Sequence, residues 1–244
     1  MKQQIVKYLK KNQIENKVSF FYYNTVTHET LLYREDEMML AASTIKVPVV
    51  MAWIDLIEQG VVSWDTKLVY QKHHYEESDD KALYDNYAFG DEVPLKECME
   101  LAIVYSDNPS NHMMREYIKK YTGKTFREMF AQYSCKSVSD EFYHRNLMNA
   151  EIMLEVMKRL YLNSEKYSVL IEWMKHAAEG RYIQSNHFEF EVAQKYGEYD
   201  CYEHTMAILY TKEPVLVGIF TELAGDLAKQ VIRDISRIIV ENRG

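Results

Sequence analysis

Apolar and polar positions change rhythm several times along the chain. Ile5, Val6, Leu9 and Ile14 recur at helical spacing in a basic opening segment, which predicts an amphipathic helix. KVSFFYYNTV and ETLLYRED, rich in β-branched and aromatic residues and separated by Thr25 to His28, predict an antiparallel hairpin. From Thr44 to about Gln59 the chain is apolar nearly all round, as a buried helix is, and Gly60 stands where it can close that helix. Residues 61 to about 90 are polar and turn-rich. After them PLKECMELAIVYS, SNHMMREYIKKY, TFREMFAQY, NAEIMLEVMKRLYL and KYSVLIEWMKHAA each carry the helical period. From about residue 188 strand character returns in FEFEVAQKY, HTMAILYTK and PVLVGIFTEL, and LAKQVIRDISRIIVEN predicts a final amphipathic helix.

This order predicts an α+β fold: an antiparallel β-sheet flanked by N- and C-terminal helices, with a mostly helical second lobe. A single domain is expected over 1–244, its α/β lobe at about 1–60 and 185–244 and its helical lobe at about 61–184. No repeat, low-complexity tract or linker divides it.

Composition narrows the function. The 244 residues are 47% hydrophobic and 27% charged with a formal net charge of -8, and the basic residues are dispersed, which argues against a nucleic-acid-binding surface. Cys98, Cys135 and Cys201 are widely spaced with no CxxC, so free thiols are expected rather than a disulfide framework or a zinc ribbon. The opening segment has no continuous apolar stretch or small-residue cleavage site, and no segment reaches the roughly 20 apolar residues of a membrane span. A cytoplasmic setting is the expectation.

Candidate chemistry begins in AASTIKVPVV. Ser43 and Lys46 lie three apart, so their side chains share one face near a helix start. A neutral amine there could take the serine proton, and the free N–H groups of the helix end favour the developing anion. Ser43 as a cap and Lys46 as a snorkelling surface cation is the plainer alternative, so the reading depends on partners. Ser106-Asp107-Asn108, between two amphipathic helices, offers a hydroxyl to shuttle a proton to a leaving group, and an amide to orient Lys46 or bind a substrate amide. The same residues are ordinary turn and cap chemistry. Lys195-Tyr196-Gly197 adds a cation beside Ser106 and a glycine that permits close approach to the strand; the N–H of Glu198 could pair with that of Ser43 as an oxyanion hole.

Taken in the order Ser-x-x-Lys, Ser-Asp-Asn, Lys-x-Gly, these elements resemble those of the class A β-lactamases and the related penicillin-binding D,D-peptidases. The resemblance spans essentially the whole chain. It implies catalytic roles for Ser43, Lys46, Ser106 and Lys195, substrate contacts from Tyr105, Asn108, Tyr196, Gly197 and Glu198, a small β-lactam or acyl-peptide-like substrate, and no metal or organic cofactor. Two departures stand out. Tyr196 replaces the short hydroxyl residue usual in the third motif, and no Glu-x-x-Leu-Asn occurs between Thr125 and Asn149. Glu141 is the candidate deacylation base there, and Asp140 a weaker one. Three readings follow: a β-lactamase-like hydrolase, a D,D-peptidase or esterase with slow deacylation, or a catalytically silent ligand-binding domain. His73-His74 with Glu76-Glu77 reads as solvated surface, and Cys201 near His204 as a buried or partly buried cysteine.

Overall fold

The computed structural model describes residues 1–76, 82–134, 142 and 145–242. Helix α1 (Lys2–Lys11) leads into β1 (Val18–Asn24) and β2 (Thr30–Tyr33), the hairpin expected from the aromatic runs, with Phe20 opposite Tyr33. Four short strands, β3 (Met39–Leu40), β4 (Lys67–Val69), β5 (Glu92–Pro94) and β6 (Leu147–Met148), pair apart from this hairpin, and the later strands are β7 (Val192–Tyr199), β8 (Tyr202–Leu209) and β9 (Val215–Thr221). These three join the hairpin in one antiparallel sheet of order β2-β1-β9-β8-β7, so β7 is an edge strand.

Strand alternation divides the core in two. Phe20, Tyr22, Val217 and Ile219 point to one face, where Ile5 and Leu9 of α1 meet Val231, Ile232 and Ile235 of the last helix, Gly225–Glu241. Phe21, Met206, Ile208 and Phe220 point to the other face and join the core of the helical lobe. Its helices are α2 (Lys46–Glu58), α3 (Ala82–Asn86), α4 (Leu95–Val104), α5 (Asn108–Thr122), α6 (Phe126–Phe130), α7 (Ala150–Leu162) and α8 (Ser168–His176), which makes the last helix α9. Among the described residues no helix is long and apolar enough to cross a membrane.

Helix α2 runs through the middle of the lobe, with Val47 to Leu56 all buried. Its one acidic residue in that span, Asp55, is saturated by partners. Tyr133 Oη and Tyr167 Oη donate to it at 3.0 and 2.6 Å, and Arg159 and Lys166 approach at 3.2 and 2.6 Å. This network fastens α2 to the chain on either side of α7. Burial first, and then the Asp55 charge, raises the Tyr133 phenol well above its usual range, so it remains a donor.

Some expectations need correction. Ile14 is buried but lies past the end of α1, and Val6 is only half-buried. Residues 188–191 are not strand; Phe188 and Phe190 stack at 5.0 Å instead. The helix expected from Thr44 begins at Lys46, after a 3₁₀ turn over Ala42–Ile45. Gly60 does follow that helix with φ +70°, the left-handed geometry glycine adopts without strain. Cys201 is exposed, because it sits in the turn between β7 and β8.

Candidate active site

Ser43 stands on the 3₁₀ turn that opens α2. The short strand β3 (Met39–Leu40) delivers the chain to that turn and pairs with β6 (Leu147–Met148). Ala41 N–H donates to Asn146 O at 2.7 Å, and Asn146 Nδ2 donates to Ala42 O at 3.3 Å. The tighter 3₁₀ winding is what brings residues 43 and 46 over one another. Lys46 Nζ lies 2.8 Å from Ser43 Oγ.

Lys46 is 1% exposed. Its Nζ also meets Asn108 Oδ1 at 2.7 Å, Ser106 Oγ at 3.2 Å and the carbonyl oxygen of Ser106. Two of these partners, the Ser106 carbonyl and the Asn108 amide oxygen, can only accept. A neutral amine placed here satisfies both with its two N–H bonds and turns its lone pair to the Ser43 hydroxyl. Asp107 supports this loop from behind. It is fully buried and accepts from the Ser110 and Leu83 N–H groups at 2.8 and 3.1 Å, capping α5. The residue beside it, Ser106, holds a left-handed φ of +60°.

The third segment is β7. Alternation turns Lys195 and Gly197 toward the helical-lobe face of the sheet and Tyr196 away from it. A Cβ on Gly197 would lie 2.7 Å from Ser43 N and 2.9 Å from Thr44 N, so only glycine lets the strand approach the nucleophile turn this closely. Lys195 is fully buried, its Nζ 4.1 Å from the centroid of the Tyr196 ring.

Tyr196 has its ring in the core on the α1 and α9 side, where it stacks on Tyr182 at 5.2 Å. Tyr105 is 54% exposed and stands outside the cleft lining. The cleft itself has a volume of about 390 Å³ and is lined by Ser43, Lys46, Asn108 and Glu198 among the expected residues. The Glu198 carboxylate is occupied: Arg181 and Lys229 approach it at 3.1 and 3.7 Å, and Tyr182 Oη donates to it. Glu141 and Asp140 lie outside the described residues.

Several lining residues were not singled out from the sequence: Asn111, His112, Arg115, Asn146 and Tyr199; Glu76, expected on a solvated surface, lines the cleft as well. Asn108, Asn111, His112 and Arg115 follow one another at i, i+3, i+4 and i+7, which is a single face of α5. His73 and His74 converge on Glu116 rather than on Glu76, with Nε2–Oε2 distances of 2.6 and 3.1 Å. The Gln71 N–H donates to His74 Nδ1 at 3.0 Å, which puts the His74 proton on Nε2 and aims it at Glu116. A metal at that nitrogen would have to expel the proton, so the trio reads as a hydrogen-bonded cluster.

Known proteins share this fold. The sequence model of the β-lactamase enzyme family matches residues 1–242. No curated protein matches the sequence. Among solved structures, PBP-A superposes with a TM-score of 0.83 at 16% identity, over 98% of this chain and 94% of that one. A mutant of PBP-A, solved as an acyl-enzyme complex with penicillin-G, superposes with the same score of 0.83 at 15% identity. A class A β-lactamase described as the last common ancestor of Gram-negative bacteria superposes with a TM-score of 0.81 at 19% identity, over 98% and 97% of the two chains. At such identities the likeness is one of fold.

Proposed function

The chain belongs to the β-lactamase enzyme family, and from that premise we propose that it is a serine hydrolase that works through an acyl-enzyme at Ser43 on a β-lactam or a related amide or ester. The observation that carries this reading is the 2.8 Å contact between Lys46 Nζ and Ser43 Oγ inside a cleft, with Asn108 and Ser106 accepting from the same nitrogen. Lys46 takes the Ser43 proton as Oγ bonds to the carbonyl carbon. Ser106 Oγ, 3.2 Å from the same Nζ, passes a proton to the leaving nitrogen as the C–N bond breaks. The N–H groups of Ser43 and Glu198 receive the oxyanion, with Gly197 keeping the two backbones close. Lys195 supplies positive charge from β7.

A second reading, a penicillin-binding peptidase or esterase with slow deacylation, draws support from the cleft carboxylates. Glu198 is tied to Arg181, Lys229 and Tyr182, and Glu76 lies 3.3 Å from His112. Neither is left to activate a water at the Ser43 ester, and a mutant of the fold relative PBP-A has been solved as an acyl-enzyme complex with penicillin-G. Intact-protein mass spectrometry over time, after adding a penicillin or a cephalosporin, tests both. An adduct that forms and then disappears, and that Ser43→Ala does not form, marks a hydrolase; one that persists marks the slow-deacylating relative. Failure of every β-lactam to modify Ser43 would refute the β-lactam reading.

A further inference from the structure

Two guanidinium groups stand beside the cleft, and among the described residues no carboxylate pairs them. Arg115 lines the cleft with Ser43, Lys46 and Asn108, and it also lines an adjoining recess of about 310 Å³ whose wall includes His112, Phe126 and Arg127. Both guanidiniums pack on one ring, their Cζ atoms 5.8 and 6.0 Å from the centroid of Phe126. Arg127 is 4% exposed and donates to neutral acceptors, Leu147 O at 3.1 Å and the Asn146 amide oxygen. Among the described residues, the acids nearest to them have other partners: Glu116, which lines the same recess, meets His73 and His74, and Glu76 meets His112. Among the described residues, no ion pair forms to Arg115 or Arg127.

Two like charges held close together, one buried and one half-buried, repel, and an anion between them relieves that cost. Burial lowers the pKa of both side chains; for Arg127, pushed down to about 9, the Arg115 charge adds to the effect. Both are still cations at neutral pH. The recess beside the cleft carries Arg115, Lys119 and Arg127 against the single carboxylate of Glu116, so in a protein of formal net charge -8 positive charge prevails there. A guanidinium fork matches the two oxygens of a carboxylate.

Direction follows from the helix. If the leaving group sits at Ser106, the polar stripe from Asn108 to Arg115 runs the other way along α5, spanning about 10 Å at 1.5 Å per residue. We propose that Arg115, with Arg127 behind it, forms an anion subsite that takes a carboxylate carried on the acyl side of the substrate. This rests on the acyl-enzyme reading of Ser43 and deepens it: the favoured substrates are dianionic, or carry an acidic acyl arm.

The test compares two penicillins that differ only at the end of the acyl chain, one glutaryl and one pentanoyl. Ser43 in the natural protein should be acylated by the glutaryl compound at least about tenfold faster, the scale of a hydrogen bond to a charged group. Arg115→Gln should bring that ratio close to one, and Arg115→Lys should recover part of it. A ratio near one in the natural protein, or a ratio unmoved by Arg115→Gln, overturns the subsite. Thermal unfolding with free glutarate gives a readout independent of acylation. Glutarate should raise the midpoint of the natural protein and not that of Arg115→Gln; equal responses overturn the subsite whatever the penicillins do. If neither penicillin modifies Ser43, the acyl-enzyme reading fails and the glutarate measurement alone decides the subsite.

Discussion

His204 links the sheet to the nucleophile turn, and the link depends on pH. The ring is fully buried on β8. Thr221 N–H donates to Nδ1 at 3.0 Å, so the single proton sits on Nε2, which donates to Leu40 O at 2.7 Å. Leu40 ends β3, three residues before Ser43. Burial pushes the imidazole down from 6.5 to about 4, against the opposing pull of the Leu40 carbonyl. A second proton, on Nδ1, would face the Thr221 N–H. The folded protein therefore excludes a proton that the unfolded chain binds below about pH 6.5. Stability from this group is complete above that pH and is lost as the pH falls toward 4. At about 1.4 kcal/mol per pH unit the loss is about 1.4 kcal/mol at pH 5.5 and about 2.6 kcal/mol at pH 4.5, with a limit of about 3.4 kcal/mol. Urea unfolding of the natural protein and of His204→Gln at these pH values and at pH 7 isolates the effect, since titrations common to both cancel in the difference. The glutamine keeps a donor for Leu40 and cannot be protonated, so its disadvantage should shrink by those amounts as the pH falls. A difference that stays flat between pH 7 and pH 4.5 would refute the reasoning.

Asp55→Ala leaves Tyr133, Tyr167, Arg159 and Lys166 facing a vacated buried position; it should cost about 3–5 kcal/mol in urea unfolding, and an unchanged midpoint would count against the network. Ser106→Gly should separate stability from activity. It relieves the left-handed φ of +60° and so holds or raises the unfolding midpoint. It also deletes the proton-carrying hydroxyl, so acylation of Ser43 should slow about 10²–10⁴-fold, and undiminished acylation would remove Ser106 from the proton path. Gly197→Ala forces a methyl to 2.7 Å from Ser43 N, so β7 or the turn must move; acylation should fall by more than about tenfold while circular dichroism stays that of a folded protein, and unaltered acylation would show that the close approach is unimportant.

The sheet and the helices were legible because their periods differ, 2.0 against 3.6, over segments long enough to show them. Ser43 with Lys46 and Ser106 with Asn108 were legible because each pair is local in sequence. What the sequence obscured is tertiary. His73 and His74 find Glu116, more than 40 residues away, and no spacing rule connects them. The polar stripe Asn108, Asn111, His112 and Arg115 has a helical period, but a period alone does not distinguish a cleft-facing stripe from a solvated one. Tyr196 is the instructive case. Similarity of motif put it at the substrate, whereas alternation along β7 sends it to the opposite face from Lys195 and Gly197, where Tyr182 stacks on it.

That placement changes what the third motif contributes. With the phenol turned away, β7 faces the turn with Lys195 and Gly197, and at Gly197 its backbone stands against Ser43 N and Thr44 N. The nucleophile turn is in turn held from the other side. Ala42 carries a left-handed φ of +45°, unusual for a residue with a Cβ, and its carbonyl accepts from Asn146 Nδ2 while its neighbour Ala41 donates to Asn146 O. Asn146 is itself fixed by Arg127. Strain of about 1–3 kcal/mol at each such position persists only where the surroundings over-determine it. Here Asn146 and Arg127 restrain Ala42, and Asp107 restrains the strained Ser106 through its bonds to Ser110 and Leu83. The two strained residues flank Lys46, one through the turn and one through direct hydrogen bonds. The position of Lys46 relative to Ser43 is therefore set by packing already present in the free protein, and under the proposed acyl-enzyme reading that is the condition for a base to lower a barrier without reorganising.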